Sequence, residues 1–143
     1  MTIVGFNFDS LSVEKTALPK GQISIKNDIK IKGVEKEDFP LEKGKKEMLR
    51  VLFEFSTEYE PKVGILNLKG HVSYLAEEKE AKDLLNSWKK DKKLPSEVAI
   101  KVLNFIFTKA NIMALNLTQE VGLPPQIQLP ALKPKTDVSN YVG

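Results

Sequence analysis

P-S-E-V-A-I-K-V-L-N-F-I-F-T-K-A-N-I-M-A-L-N-L-T-Q-E-V-G fills residues 95–122, and L-P-P-Q-I-Q-L-P-A-L-K-P follows it over residues 123–134. The first run predicts one long helix. Pro95 pre-sets the first turn, and Glu97 suits the positive end of the helix dipole. Gly122 supplies a left-handed stop, and Pro124 prevents continuation. Glu97 to Val121 is 25 residues, or about 37 Å of helix. Around the helix axis, Val98, Val102, Phe105, Ile106, Ala110, Ile112, Met113, Leu117 and Val121 fall into one broad zone, which Leu103, Phe107 and Ala114 widen. That apolar arc covers about 240°, whereas a surface helix needs about 100°. Lys101, Asn104, Thr108 and Asn111 mark the wet side. One side of such a helix covers the chain's own sheet. The rest calls for a second partner: another subunit is the economical choice, and burial within one larger domain is the alternative. Lys101, Asn104, Lys109, Asn111 and Asn116 interrupt the run, so no membrane insertion is expected.

Upstream, the chain reads as strands. Val4, Phe6 and Phe8 alternate with Gly5, Asn7 and Asp9, and then the phase slips so that Leu11 and Val13 become the apolar set. A bulge or strong twist after Asp9 would produce that slip. Residues 23–33 alternate most cleanly, with Ile23, Ile25, Ile29 and Ile31 set against Ser24, Lys26, Asp28, Lys30 and Lys32. This is the pattern of a half-wet antiparallel strand, broken only at Asn27. Residues 35–46 are charged, hold Pro40 and Gly44, and read as a loop with Phe39 and Leu41 tucked back. Residues 48–59 and 63–76 are two further alternating runs joined by the turn Glu60-Pro61-Lys62. That turn is too short for a crossover, so they form an antiparallel hairpin. Gly70 suggests a bend in the second of them. Residues 77–90 predict a short helix with a narrow apolar face of Leu84, Leu85 and Trp88. The expected architecture is a single α+β domain over residues 1–143: a four-stranded antiparallel sheet, a short and a long helix on one face, and an extended C-terminal tail.

The tail cannot be helical, because prolines stand at 124, 125, 130 and 134. Yet it carries Leu123, Ile127, Leu129 and Leu132, an apolar content that a solvated linker has no use for. It is expected to lie on the sheet or the long helix, either walling a groove or stapling the core. Residues 136–143 are expected to be disordered.

Charge and composition narrow the function. The 143 residues contain 22 Lys and Arg against 19 Asp and Glu, a net charge of +3, and no cysteine. Disulfides and Cys-based metal sites are thereby excluded, and the composition fits a reducing cytoplasm. The N-terminus lacks the basic and apolar regions of a signal peptide. The basic excess gathers at Lys89, Lys90, Lys92 and Lys93 and reads as a solvated helix end. The single histidine, His71, falls on the polar side of a predicted strand, so neither a triad nor a zinc site is expected. Glu58 and Glu60 flank a turn with no pocket to shift their pKa. Gly64, Gly70 and Gly122 are isolated and match no phosphate-binding fingerprint. Phe53 and Phe55 stand beside glutamates rather than lysines, against nucleic-acid binding. No catalytic residue, metal or cofactor is expected.

The run L-N-F-I-F-T-K-A-N-I-M-A-L-N-L-T-Q-E-V-G-L-P-P-Q-I-Q-L-P, residues 103–130, resembles the long helix and following loop of SecB-type export chaperones. Leu123-Pro124-Pro125-Gln126-Ile127-Gln128-Leu129-Pro130 fits that family's Phe/Leu-Pro-x-aliphatic-x-Leu segment. The opening strand I-V-G-F-N-F-D-S-L-S-V-E and the hairpin V-L-F-E-F-S-T-E-Y-E-P…V-G-I-L-N-L-K-G fit its strand order. The resemblance spans residues 3–134 and implies a SecB-like fold that pairs into dimers and then, through the long helices, into a homotetramer. It implies an ATP-independent holdase that binds unfolded or non-native polypeptides in long apolar grooves. By carry-over, client-binding positions would be Ile23, Ile25, Ile29, Ile31, Leu123, Ile127, Leu129 and Leu132. The oligomer interface would hold Leu103, Phe107, Ala110, Ala114 and Leu117. The sequence departs from the bacterial export members after the tail: residues 136–143 fit neither their further helix nor their charged motor-binding end, so a SecA-type motor partner is not carried over. Other family members guard antitoxins. The competing expectation is a structural oligomer or dedicated adaptor without general client binding.

Overall fold

The computed structural model describes residues 2–38 and 46–130. Leu132, Phe39, Leu41 and residues 136–143 lie outside them. Four strands come first: β1 (Thr2–Lys15), β2 (Ser24–Glu37), β3 (Lys46–Glu60) and β4 (Gly64–Glu77). Two helices follow, α1 (Glu78–Asp91) and α2 (Ser96–Glu120). The strands form one antiparallel sheet in the order β1-β4-β3-β2. This is the α+β arrangement that the alternation and the short β3–β4 turn predict.

Period-two alternation sorts the sheet into two faces. On one face Leu49, Val51, Phe53 and Phe55 of β3 stand beside Tyr74, Val72 and Leu68 of β4, all buried. Ala81 and Leu84 of α1, and Val102, Ile106, Ala110 and Ala114 of α2, close over this row to complete the core. The other face carries Lys26, Asp28, Ser56, Glu58, Asn67 and Lys69, a solvated surface. His71 is on that polar face, as its phase predicts, with its Nδ1 2.8 Å from Asp9 Oδ2.

The bulge expected after Asp9 is present: the β1–β4 register shifts between Phe8 and Ser10, and shifts again between Ile3 and Gly5. Gly70, where a bend is expected, stands opposite the bulge at Asp9, since Phe8 pairs with Gly70 and Ser10 with Lys69. The β3–β4 ladder runs through Gly70 without a shift, and a Cβ there would sit 2.3 Å from the Asn7 carbonyl and 2.8 Å from the Phe53 ring. Glycine at this position makes room for an aromatic cluster, in which Phe6 stacks on Phe53 at 5.3 Å and Phe8 meets it edge-on at 6.2 Å.

The charged run from residue 35 also departs from the loop reading. Glu35, Lys36 and Glu37 continue β2, pairing with Arg50, Leu49 and Met48. Lys36 reaches Glu47 at 3.1 Å and Glu37 reaches Arg50 at 3.0 Å. Their charges suit an edge strand, where cross-strand ion pairs and water satisfy them and oppose edge-to-edge association.

Helix α2 is long and apolar enough to cross a membrane by length and composition. Here it lies across the sheet. Its buried stripe is Val102, Ile106, Ala110, Asn111, Ala114 and Thr118. The alanines let the helix backbone approach the strands closely.

Candidate functional site

The tail is built onto the sheet by a polar chain that the alternation of β2 concealed. Asn27 faces inward with the β2 isoleucines and pairs with Thr57 of β3. Thr57 Oγ1 donates to Asn27 Oδ1 at 2.7 Å, and Asn27 Nδ2 donates to the Gln126 carbonyl at 2.9 Å. Gln126 Nε2 in turn donates to the Asn111 carbonyl at 2.9 Å and to Asn111 Oδ1 at 3.2 Å. Thr57, Asn111 and Gln126 are all buried, while Asn27 is exposed; the bonds satisfy the Thr57 hydroxyl, the Gln126 carbonyl and its Nε2 amide, and leave Gln126 Oε1 buried without a partner. Asn111, read as part of the wet side of the helix, is instead covered by the tail.

A second tie lies beside it. Tyr59 is fully buried, and its hydroxyl donates to the Pro124 carbonyl at 2.6 Å. Burial pushes its pKa up to about 12, partly offset by a hydrogen bond with the Thr118 side chain. Leu123 packs with Tyr59 and Val63, and Val13, Ile23, Ile25 and Val121 border that cluster. Its methyl group would be 2.9 Å from a Cβ at Gly64, so the glycine admits it.

These ties sort the expected client-binding residues into three groups. Leu123 is only 5% exposed and belongs to the core staple; as a groove wall it is corrected, because no bound chain can reach it. Ile23, Ile25, Ile29, Ile31 and Ile127 are half-buried, each with a free flank. Leu129 stands 49% exposed at the end of the described tail. Asn27 ties the tail to the middle of β2 at Gln126. Ile23 and Ile25 lie toward the Tyr59 cluster, and Ile29 and Ile31 pack against the main core.

The expected interface residues divide as well. Ala110 and Ala114 are 0% exposed in the core of this one chain; that part of the expectation is corrected, since neither can meet a partner's surface. Leu103 and Leu117 are half-buried, and Phe107 is 44% exposed. Ile112, absent from that expected interface, is 57% exposed on the side of α2 away from the sheet. Of the wide apolar arc of α2, Val102, Ile106, Ala110 and Ala114 are buried by the chain's own sheet, the rest is half-buried, and Phe107 and Ile112, like Ile100 beside the arc, are left in solvent.

The other half of β2 borders a cleft of about 730 Å³, within the range of about 300–1,000 Å³ that ligand sites occupy. Its floor is Ile31, Trp88, Leu94 and Leu103, with Ile100 at the opening. Phe107 continues this apolar strip by meeting Phe55 edge-on at 6.4 Å, and Phe55 is the strand partner of Ile29. Leu103, assigned from sequence to an oligomer interface, therefore lines the same cleft as Ile31, assigned to clients; Phe107 and Ile29 stand beside Phe55 next to it. Trp88, Leu94 and Ile100 were missed as site residues. Trp88 read only as the face of a short helix, and its neighbours are distant in sequence. A second cleft, about 630 Å³, is lined by the long charged side chains of Lys46, Glu77, Glu78, Lys79 and Lys82. Among the described residues, no three His, Cys, Asp or Glu side chains gather as metal ligands.

No protein-family model matches the sequence, and no curated protein matches it. Among solved structures, the chain is similar to the SecB-like chaperone Rv1957 of Mycobacterium tuberculosis, in complex with a ChAD peptide from the antitoxin HigA1 (Rv1956). The two agree at a TM-score of 0.56 and 12% identity, over 92% of this chain and 89% of that one. At that identity the likeness shows the fold: a four-stranded antiparallel sheet with one short and one long helix, of the SecB-like kind.

Proposed function

We propose that this chain is a non-enzymatic, SecB-like holdase that binds non-native polypeptide without nucleotide in the cytoplasm, in the groove between β2 and α2. The observation that carries the reading is the cleft of about 730 Å³ with its apolar floor, extended by exposed Ile100 and Phe107. A folded chain keeps such a surface at the expense of solubility, so a partner that covers it is expected. An aromatic client side chain buries about 150–250 Å², worth about 4–6 kcal/mol gross at about 25 cal/mol per Å². Ordering the client consumes much of that, so binding is reversible, as holding without nucleotide requires. The solved SecB-like neighbour, bound to an antitoxin peptide, supports peptide as the partner class.

The assembly proposed is a homotetramer built as a dimer of dimers, with exposed Ile112 on the outward side of α2 as the contact toward another copy. The test is light scattering by a chemically denatured enzyme diluted into buffer with and without the protein, and without ATP. Suppressed scattering at near-stoichiometric protein, for several unrelated clients, is expected. Unchanged scattering at molar excess for all of them overturns the holdase reading. Suppression for one client alone would favour a dedicated adaptor, of the kind that guards an antitoxin.

A further inference from the structure

Lysines border the β2–α2 cleft at two places, Lys92 and Lys93 at the α1–α2 turn and Lys30 and Lys32 on β2, while its α2 side is Ser96, Ala99, Ile100 and Leu103 and no Asp or Glu lines it. Lys30 and Lys32 alternate with Ile29 and Ile31 and so lean toward the polar face of the sheet. The two pairs differ in how they are held. Lys30 sits 3.5 Å from Asp28 and Lys32 3.8 Å from Glu54, so the β2 charges are partly answered within the chain. Among the described residues, no ion pair involves Lys92 or Lys93. Their turn is nonetheless fixed. Lys92 takes a left-handed conformation with φ 55° and donates its backbone N–H to the Trp88 carbonyl, and Ser87 Oγ donates to the Lys93 carbonyl at 2.7 Å. The Lys92 ammonium stands 5.9 Å from the centre of the Trp88 ring, so charge and aromatic floor meet at one point. On β2, the register shift between Ile31 and Gly33 places a bulge at Lys32, beside the cleft. β2 is also an edge strand, and beside the cleft, short of its charged Glu35–Glu37 end, its unpaired backbone suits an extended segment lying along it.

We infer that the groove selects polypeptide segments in which apolar side chains are flanked by carboxylates. This deepens the holdase reading and rests on it. The apolar side chains enter over Ile31, Trp88 and Leu94, and the flanking Asp or Glu residues meet Lys92 and Lys93 at the rim. The pairing is between partly exposed groups, so it sets which segment binds more than how tightly. It weakens with added salt, because surface charges beyond about 8 Å are screened at physiological ionic strength.

Trp88, the one tryptophan of the chain, reports occupancy directly. Short peptides without Trp or Tyr, sharing a Leu-Phe-Leu core and flanked by Glu, Gln or Lys, are titrated into the full chain while Trp88 emission is followed. The Glu-flanked peptide is expected to bind about ten-fold more tightly than the Lys-flanked one, or about 1.4 kcal/mol, with the gap narrowing as salt rises. In the double variant Lys92→Glu, Lys93→Glu the order of preference should reverse, and in Ile100→Ser all three peptides should weaken together. Three results overturn the inference. Equal affinities for the three peptides remove the charge selection and leave the holdase reading standing, provided aggregation is still suppressed. An equally charged single-stranded oligonucleotide that gives the same Trp88 response shows that charge alone is recognised. A Trp88 whose acrylamide quenching in the free protein rises as the protein is diluted shows that a second copy already covers the cleft. Loss of aggregation suppression as well as peptide binding would instead remove the underlying reading.

Discussion

Asn27 joins three elements through one carboxamide: Thr57 on β3, Gln126 in the tail and, through Gln126, Asn111 on α2. Replacing it with alanine removes two hydrogen bonds. Asn27 is itself exposed, so water takes up part of what is lost, and about 0.5–1.5 kcal/mol is expected for each bond removed. Asn27→Ala should therefore lower the urea midpoint and speed amide exchange at residues 123–128, where the tail is released. Tyr59 makes a second, pH-dependent contribution. Its pKa rises from 10.0 unfolded to about 12 folded, so the neutral phenol is the form the fold favours. The stability it adds is full below pH 10 and is lost as the pH climbs through 12, about 2–3 kcal/mol in all. Denaturation measured across that range should show the decline in the parent chain, and Tyr59→Phe should remove this component of it.

For α2, two kinds of apolar position behave differently although the sequence gives them the same hydrophobic character. Ala110 and Ala114 press on the sheet with no exposure, whereas Ile112 stands 57% exposed. Ala110→Leu or Ala114→Leu should cost about 1–3 kcal/mol by overpacking. Ile112→Ser should leave the unfolding of a single chain within about 0.5 kcal/mol of the parent while shifting sedimentation toward smaller species. What was legible here follows from physics at short range. Alternation of apolar and polar residues located the four strands, and Pro95 and Gly122 bracketed α2 to within a residue or so. The phase slip after Asp9 announced a bulge. What was not legible depends on distant partners. The helix arc could not say how much of itself the sheet would take, so Ala110 and Ala114 were placed outward. Asn27 looked like a flaw in its strand because Gln126, 99 residues away, supplies its reason.

Among the described residues, the cleft of Ile31, Trp88, Leu94 and Ile100 adjoins Ile29 and Phe107, which both stand beside Phe55, and together they make an apolar seam between β2 and α2. The tail is tied down at Pro124 and Gln126, where Asn27 of β2 meets it. Sequence reasoning reached both sides of the seam separately, as client positions on β2 and as interface positions on α2, and only the packing brings them together. The most direct test is hydrogen exchange on the protein with and without a bound, chemically unfolded client. Binding in the seam should slow exchange of amides over 28–33 on β2 and over 88–100 along the α1–α2 turn, with no change at residues 65–71 beneath the polar face. Slowed exchange confined to that polar face or to β1, with the seam unchanged, would place the client elsewhere and remove the β2–α2 groove as the seat of function.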